Sequence, residues 1–360
     1  MNRLRINPEA LHHNLDTVRT WLASHGADLT VVTKALCAHE STIKSLRQMG
    51  VESIADSRIE NLRKITGMDL GFERWYLRPP NFSELKETIA LSDVSLNTEL
   101  KTVKQINGFA QKAGITHKVV LMIELGDLRE GILPGALVRT YRKVFDLPNV
   151  EITGIGANLG CLAGTIPSID QLMQLVLYRE LLELKFDRKI PYISAGSSAV
   201  LPLLLEGQVP KAVNHFRVGE SILLGSDLIN GGTMAGLRDD GFLLEAEVVE
   251  IKKKSLNPSG ETSDEITPFS STVGADESHP PGSRGYRAVV TVGELDTDVS
   301  NLRPINPDYQ IAGASSDVTV VNVGETGSSL QIGAILSFKV GYSSLVRLMS
   351  NKYTEKVVMD

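Results

Sequence analysis

The stretch Leu29-Thr30-Val31-Val32-Thr33-Lys34-Ala35 is short, apolar and β-branched, which predicts a buried strand. One lysine closes it. A lysine emerging at the C-terminal end of a strand can have its ammonium pKa lowered by burial, and the neutral amine is a nucleophile toward carbonyl compounds. The plainer alternative is a lysine that snorkels to solvent at a strand end. The residues placed around Lys34 by the rest of the chain decide between the two.

Moving outward, strand and helix signals alternate. Leu4-Arg5-Ile6 alternates like a short strand, and Asn7-Pro8 reads as a helix start, a capping side chain followed by a fixed φ. Leu11, Leu15, Val18 and Leu22 recur at helical spacing on the segment before Lys34. Beyond it, strands are predicted at Val51–Ala55, Trp75–Leu77, Val94–Leu96, Lys118–Ile123, Ile152–Ala157, Tyr192–Ser194 and Phe216–Val218, with helical periodicity or a short turn between them. With the Lys34 strand these are eight βα units. Repeated βα units imply a parallel sheet, and eight imply a closed (β/α)8 TIM barrel; an open doubly wound sheet is the alternative. Gly154-Ile-Gly156-Ala-Asn-Leu-Gly160 misses the GxGxxG spacing by one residue, a weak dinucleotide signal. From Gly231 the pattern becomes alternating strands at Leu243–Ile251, Arg287–Val292, Asp317–Val323 and Ile335–Val340 with little helix, which predicts a C-terminal mostly-β domain. The expected division is a barrel over 8–228 and a β domain over 229–360 joined by the strand in 1–7. The polar stretch Asn257–Gly285 is long for a connection inside a compact domain, so it is functional or disordered.

Composition bounds the function. The chain has 360 residues, 42% of them hydrophobic, and a net charge of −6. That core is sizeable, and the negative balance argues against nucleic acid. Cys37 and Cys161 are too few for a disulfide framework, and there is no CxxC metal pattern. No apolar run reaches the roughly 18 residues of a membrane span, and the N-terminus lacks the apolar run of a signal peptide. A cytoplasmic protein with no metal site is expected.

Active sites of such barrels lie at the C-terminal ends of the strands. There the sequence puts Lys34, the segment Glu124–Arg129, Asn158 and Cys161, the Ser194–Ser198 turn, and Arg217-Val-Gly219-Glu220. A Gly/Ser turn entering a helix can cradle a phosphate, although each of these features alone also suits an ordinary turn or ion pair.

Five motifs run in order over almost the whole chain: Val32-Thr33-Lys34-Ala35-Leu-Cys37, Gly154–Cys161, Ser194–Ser198, Asn214–Gly225 and Gly313–Asp317. In that set the chain resembles the alanine racemase family of pyridoxal 5'-phosphate (PLP) enzymes, and within it the ornithine/lysine racemase branch. The resemblance implies racemisation of a free, basic amino acid by a homodimer that shares its active sites between subunits. It also implies roles. Lys34 matches the lysine that forms the internal aldimine with PLP and works as a base on one face of the substrate carbon. Ser198, with the backbone N–H groups of Gly219 and Glu220, matches the phosphate site, to which Tyr353 would add a hydroxyl. Arg217 matches the arginine facing the pyridine nitrogen, and Arg129 the arginine near the phenolic oxygen and the substrate. Asn158 takes the place of a histidine beside the ring. Ser316 and Asp317 match a segment offered to the substrate carboxylate by the partner subunit.

Chemistry agrees with that assignment. PLP is an electron sink that acidifies an α-proton. A ring nitrogen facing an always-charged arginine stays unprotonated, which weakens the sink and suits proton removal and return. Decarboxylases of this fold type use a glutamate there, so Arg217 favours a racemase. Racemisation needs an acid–base group on each face, and here the sequence departs from the family. The segment near Phe269–Gly274 that should carry the second tyrosine has none, and Cys37, Ala38 and His39 follow the lysine instead of a tyrosine. His279 and Tyr286 are the leading second-base candidates, with Tyr353 and Cys161 behind them; His279 titrates in a useful range. His39 contacts the phosphate or caps the next helix. Asp127, Glu130, Glu220 and the acidic residues of the long loop are candidates to pair a distal ammonium. A PLP-handling protein without racemase activity and a decarboxylase of the same fold are the competing functions.

Overall fold

The computed structural model describes residues 2–259, 280–325 and 330–359. Its chain divides into two compact units, one of His12–Lys34 and Ala38–Arg238, the other of Met1–Leu11, Ala35–Cys37 and Asp239–Asp360. The first strand, β1 (Arg3–Ile6), is followed by helix α1 (Pro8–His25). As its Asn-Pro start predicts, the Asn7 side chain accepts from the Ala10 N–H, and Leu11, Leu15, Val18 and Leu22 are all buried.

Eight parallel strands close a barrel: β2 (Asp28–Val32), β3 (Ser53–Asp56), β4 (Glu73–Tyr76), β5 (Val94–Asn97), β6 (His117–Met122), β7 (Val150–Gly156), β8 (Tyr192–Ser197) and β9 (His215–Val218). β9 pairs back onto β2, with Thr30 opposite Arg217. All eight expected strands are present, which rules out the open sheet. The helices between them are α2 (Glu40–Gln48), α3 (Ile59–Gly67), α4 (Leu85–Leu91), α5 (Leu100–Ala113), α6 (Leu137–Phe145), α7 (Ile169–Phe186), α8 (Leu201–Leu205) and, after β9, the single-turn α9 (Glu220–Leu224). α7 starts at a reciprocal capping box between Ser168 and Gln171. Val32, Ala55, Trp75, Leu96, Val120 and Met122 pack into one apolar cluster. Thr30, Ser194 and His215 are also fully buried, so the barrel interior is not the uniform stack of branched apolar residues usual for the fold.

Within the barrel, the ends of β2 and β8 differ most from expectation. β2 stops at Val32, not Ala35, because Thr33 turns its hydroxyl onto Asp56 Oδ2 at 3.2 Å and the Ala55 carbonyl at 3.3 Å. Lys34 then opens a 3-10 turn, Lys34–Leu36, and Cys37 and Ala38 follow with φ of 50° and 54°, a left-handed conformation that costs non-glycine residues energy. Where β8 meets β9, Gly196 lies opposite Phe216, and a Cβ on it would come within 2.1 Å of the Phe216 ring. Only glycine fits there.

In the other unit, the long strand β10 (Phe242–Ser255) pairs with β1, β11 (Arg284–Val290) and β15 (Ile335–Val340), and β11 continues through β14 (Thr319–Asn322) to β13 (Gln310–Ala314). Four elements were not expected: β13, the short β12 (Leu302–Pro304), helix α10 (Tyr342–Ser350) and β16 (Glu355–Val358), which pairs in parallel with β1. His279 and the Phe269–Gly274 segment lie outside the described residues.

Candidate active site

The strand ends of the barrel carry a connected polar array. Arg217, two residues into β9 from His215, is buried, with 8% of its surface exposed. Its Nη1 donates to the Ser194 carbonyl at 2.6 Å and to the Ser194 hydroxyl. Its Nη2 donates to the Ala157 carbonyl and to Asn158 Oδ1, both at 3.1 Å. Every acceptor is neutral, so burial pulls the guanidinium down to about 10 from its ordinary 12.5, with Arg129 pushing the same way and Cys161 and Glu130 opposing. It is still a cation at neutral pH. Asn158 passes the contact on, donating from Nδ2 to Glu130 Oε1 at 2.8 Å. Glu130 in turn accepts from Arg129 through Nε and, at 2.6 Å, Nη2. That bond holds the Arg129 guanidinium above its usual range.

Two carboxylates build the rim. Glu124 accepts from the backbone N–H groups of Gly126, Leu128 and Arg129, which folds the segment after β6 around its own side chain. Asp127 accepts from the N–H groups of Cys161, Leu162 and Ala163, fastening the loop after β7. Asp127 is therefore committed to the backbone, and Glu130 to Arg129 and Asn158. Neither is left to pair a distal ammonium, contrary to expectation. Glu220 is mostly buried, which raises its carboxyl, with a bond from Ser226 and the Lys34 charge opposing. The acidic residues of the long loop lie outside the described residues.

Lys34 is exposed at the head of its 3-10 turn, so the buried-amine environment expected from sequence is not what this conformation provides. His39 is the N-cap residue of α2, but its side chain bonds no backbone N–H of that helix; Nδ1 lies 2.9 Å from Thr42 Oγ1 instead. At the β8 turn, Ser198 Oγ accepts from the Ser221 N–H at 3.2 Å, at the start of α9. The hydroxyl hydrogen of Ser198 is thereby directed elsewhere. Gly219 is the N-cap position of α9, and a Cβ on it would meet Val32 at 2.9 Å. Next to Ser198, Ser197 Oγ is buried without a partner. A buried orphan hydroxyl, a second one capping a helix from outside, and helix amides together form a donor-rich turn suited to a phosphate.

The array thus joins Arg129, Asn158 and Arg217, and separately joins Ser198 to the start of α9. Tyr286, Ser316, Asp317 and Tyr353 belong to the other unit. There Ser316 donates to Asp317 at 2.6 Å, the Lys253 ammonium sits 5.9 Å from the Tyr286 ring centroid, and Tyr353 is 79% exposed. Sequence reasoning missed the role of Glu130 as the link between the array's two halves, and the bonding roles of Ser194 and His215. The available signal was period: residues 215 and 217 share one face of a strand.

Residues 6–227 match the family model described as alanine racemase, N-terminal domain. The chain belongs to the alanine racemase family. It is 34% identical to an ornithine racemase of Acetoanaerobium sticklandii, an alignment covering 99% of both chains. It is 29% identical to a lysine racemase of Thermotoga maritima, over 99% of this chain and 98% of that one. The fold matches alanine racemase from Streptomyces coelicolor A3(2), with a TM-score of 0.74 at 18% identity over 100% and 98% of the two chains. It also matches an alanine racemase from Bartonella henselae with covalently bound pyridoxal phosphate, with a TM-score of 0.72 at 13% identity over 99% of each. The reaction of this racemase is therefore PLP-dependent racemisation of a free amino acid, and the donor-rich turn and buried guanidinium fit that cofactor. Among the described residues no cluster is placed to hold a metal ion, and no helix is long and apolar enough to cross a membrane.

Proposed function

We propose that the substrate is a basic amino acid, ornithine or lysine, and that the site residues divide the work as follows. The full-length similarity to an ornithine racemase and a lysine racemase supports the substrate class. The observation that carries the site assignment is the Arg217 guanidinium, buried on neutral acceptors alone. When bound, PLP supplies an electron sink that acidifies the α-proton. Arg217 would face the ring nitrogen and, being a cation that can only donate, would keep that nitrogen unprotonated. Ser198 and the N–H groups of Gly219 and Glu220 take the phosphate, with Tyr353 as a further hydroxyl. Lys34 would hold the cofactor through its amine and would move the proton on one face of the α-carbon. Asn158 and Arg129 line the ring side, and Ser316 and Asp317 of a second copy meet the substrate carboxylate in a cytoplasmic homodimer.

The other face needs its own acid–base group. His279, Tyr286, Tyr353 and Cys161 are the candidates. Of these, Cys161 sits in the loop fastened by Asp127 and is exposed.

Solvent deuterium uptake at the α-carbon, followed by NMR for L- and D-amino acids with added PLP, tests this. Exchange with inversion on ornithine or lysine is expected. Inversion confined to small neutral amino acids would refute the substrate class, and no exchange at all with PLP bound would refute the assignment of roles. Lys34→Ala should lose both turnover and the absorbance of covalently attached cofactor.

A further inference from the structure

Below Arg217 the polar contacts continue through the barrel. Ser194 Oγ lies 2.7 Å from His215 Nδ1, His215 Nε2 lies 2.9 Å from Thr30 Oγ1, and Thr30 Oγ1 lies 2.9 Å from Ser53 Oγ. Ser53 donates to Glu73 Oε2 at 3.3 Å, and Trp75 Nε1 donates to the same oxygen at 2.9 Å. Ser194, His215 and Thr30 are at most 1% exposed. The His215 ring stacks on Trp75, with centroids 4.3 Å apart and planes 17° from parallel, and leans on Tyr192 at 5.0 Å. Glu73, Ser53, Thr30 and His215 line a cavity of about 670 Å³ at the N-terminal ends of the strands.

The two ends fix the direction of every hydrogen. A guanidinium only donates and a carboxylate only accepts. Ser194 Oγ accepts from Arg217, so its own hydrogen goes to His215 Nδ1. That ring nitrogen must be bare, and Nε2 carries the hydrogen and donates to Thr30. Thr30 then donates to Ser53, and Ser53 to Glu73. The opposite tautomer would leave the Ser194 hydrogen without an acceptor and would set the Ser53 and Glu73 oxygens against each other with no hydrogen between them. The first strands a fully buried hydroxyl hydrogen and is the costly defect; the second lies where the chain reaches the exposed Glu73. An imidazolium would face the Arg217 cation, and burial and that charge push His215 down to about 3.

We propose that His215 is a positioning residue for the racemase: as the neutral Nε2–H tautomer it aims the Ser194 oxygen at Arg217, one link of a one-way hydrogen-bond chain from Arg217 to Glu73. It contacts neither cofactor nor substrate. Its effect is to set the orientation and donor strength of the guanidinium, and so the proposal rests on the placement of Arg217 opposite the ring nitrogen.

The test has two parts. In the full-length protein labelled with 15N-histidine, two-bond 1H–15N correlation spectra at neutral pH give the tautomer of His215, assigned by its loss in His215→Asn. A single neutral Nε2–H form is expected with and without PLP; an Nδ1–H form, an imidazolium or a mixture overturns the proposal. With PLP bound, His215→Leu and Ser194→Ala should shift the absorbance band of the cofactor and lower kcat/KM about ten- to hundredfold, the range that loss of such outer partners produces at metal sites. His215→Asn, whose Oδ1 can still accept from Ser194, should restore most of both. Equal spectra for the Leu and Asn variants overturn the proposal, and Ser194→Ala keeps the test alive if the Leu variant does not fold. If Arg217→Lys also leaves the cofactor band unmoved while the tautomer is as expected, the placement of Arg217 is wrong and the positioning role falls with it. A mixed tautomer beside an Arg217-sensitive band removes only the role of His215.

Discussion

Replacing Arg217 by methionine should abolish racemisation without destabilising the barrel. Burial brings the guanidinium down to about 10 from 12.5. At 1.36 kcal/mol per pH unit, keeping that charge out of water costs the fold about 3 kcal/mol. Methionine fills a similar slot with apolar atoms and removes the cost. Against this, Ser194, Ala157 and Asn158 lose their donor. The Ser194 carbonyl keeps the Ala157 N–H at 3.3 Å and Asn158 is only half-buried, so that loss is about 2 kcal/mol. No carboxylate is hydrogen-bonded to Arg217, so no buried anion is stranded, which is what makes breaking most buried pairs expensive. The balance is between zero and about 1 kcal/mol of added stability, a rise in Tm of up to about 4 °C for a barrel of this size. Thermal melts followed by tryptophan fluorescence, without PLP so that its binding adds nothing, are the assay, beside deuterium exchange for activity. A fall of more than about 6 °C would show that the guanidinium is a structural member of the barrel, and the case for a charge kept there for chemistry would fail.

Asp56 is buried and its carboxyl is pushed up to about 6, with bonds from Arg58, Asn61 and Thr33 opposing. Its contribution to stability is therefore complete below pH 3.8 and is lost as pH rises through 6. The stability difference between the protein and Asp56→Asn should change by up to about 3 kcal/mol between pH 4 and 7, and a flat difference in denaturant melts would refute the burial account. Asp127→Ala frees three loop amides. Hydrogen exchange at 161–163 should accelerate and stability should fall by about 1.5–3 kcal/mol; unchanged exchange there would mean the loop is held by something else. Ser198→Ala should raise the PLP concentration needed for half-saturation about tenfold, measured by titration of cofactor absorbance, and cost about 1 kcal/mol of stability through the buried Ser221 N–H it leaves without its acceptor; an unchanged titration would remove Ser198 from the phosphate site.

The barrel was legible because each βα unit repeats one local signal, an apolar run followed by helical period, and all eight survive tertiary context. Boundaries were less so. β2 ends three residues early because the Thr33 hydroxyl finds an acceptor on β3, a contact between strands that no local pattern reports. β12 and β16 are three and four residues long, too short for alternation to register. Lys34, Asn158, Ser198 and Arg217 were readable as motifs. Glu130 was readable only as one charge among several, since its meaning depends on Asn158 across the barrel mouth. Thr30 and Ser53 looked like ordinary strand residues, and their partnership exists only in the register of neighbouring parallel strands.

The close meeting of Gly196 and Phe216 restricts how this protein can change over generations. An alanine at 196 has nowhere to put its methyl while the aromatic ring stands across the strand pair, so that step is closed to a lineage that has not first reduced residue 216. Phe216 is itself fully buried, and shrinking it alone opens a void. The two positions are therefore a single unit of inheritance: variation at either requires passage through a weakened intermediate. Randomising them separately in a library would return only the parental pair, whereas randomising them together is the only screen in which a different solution can appear.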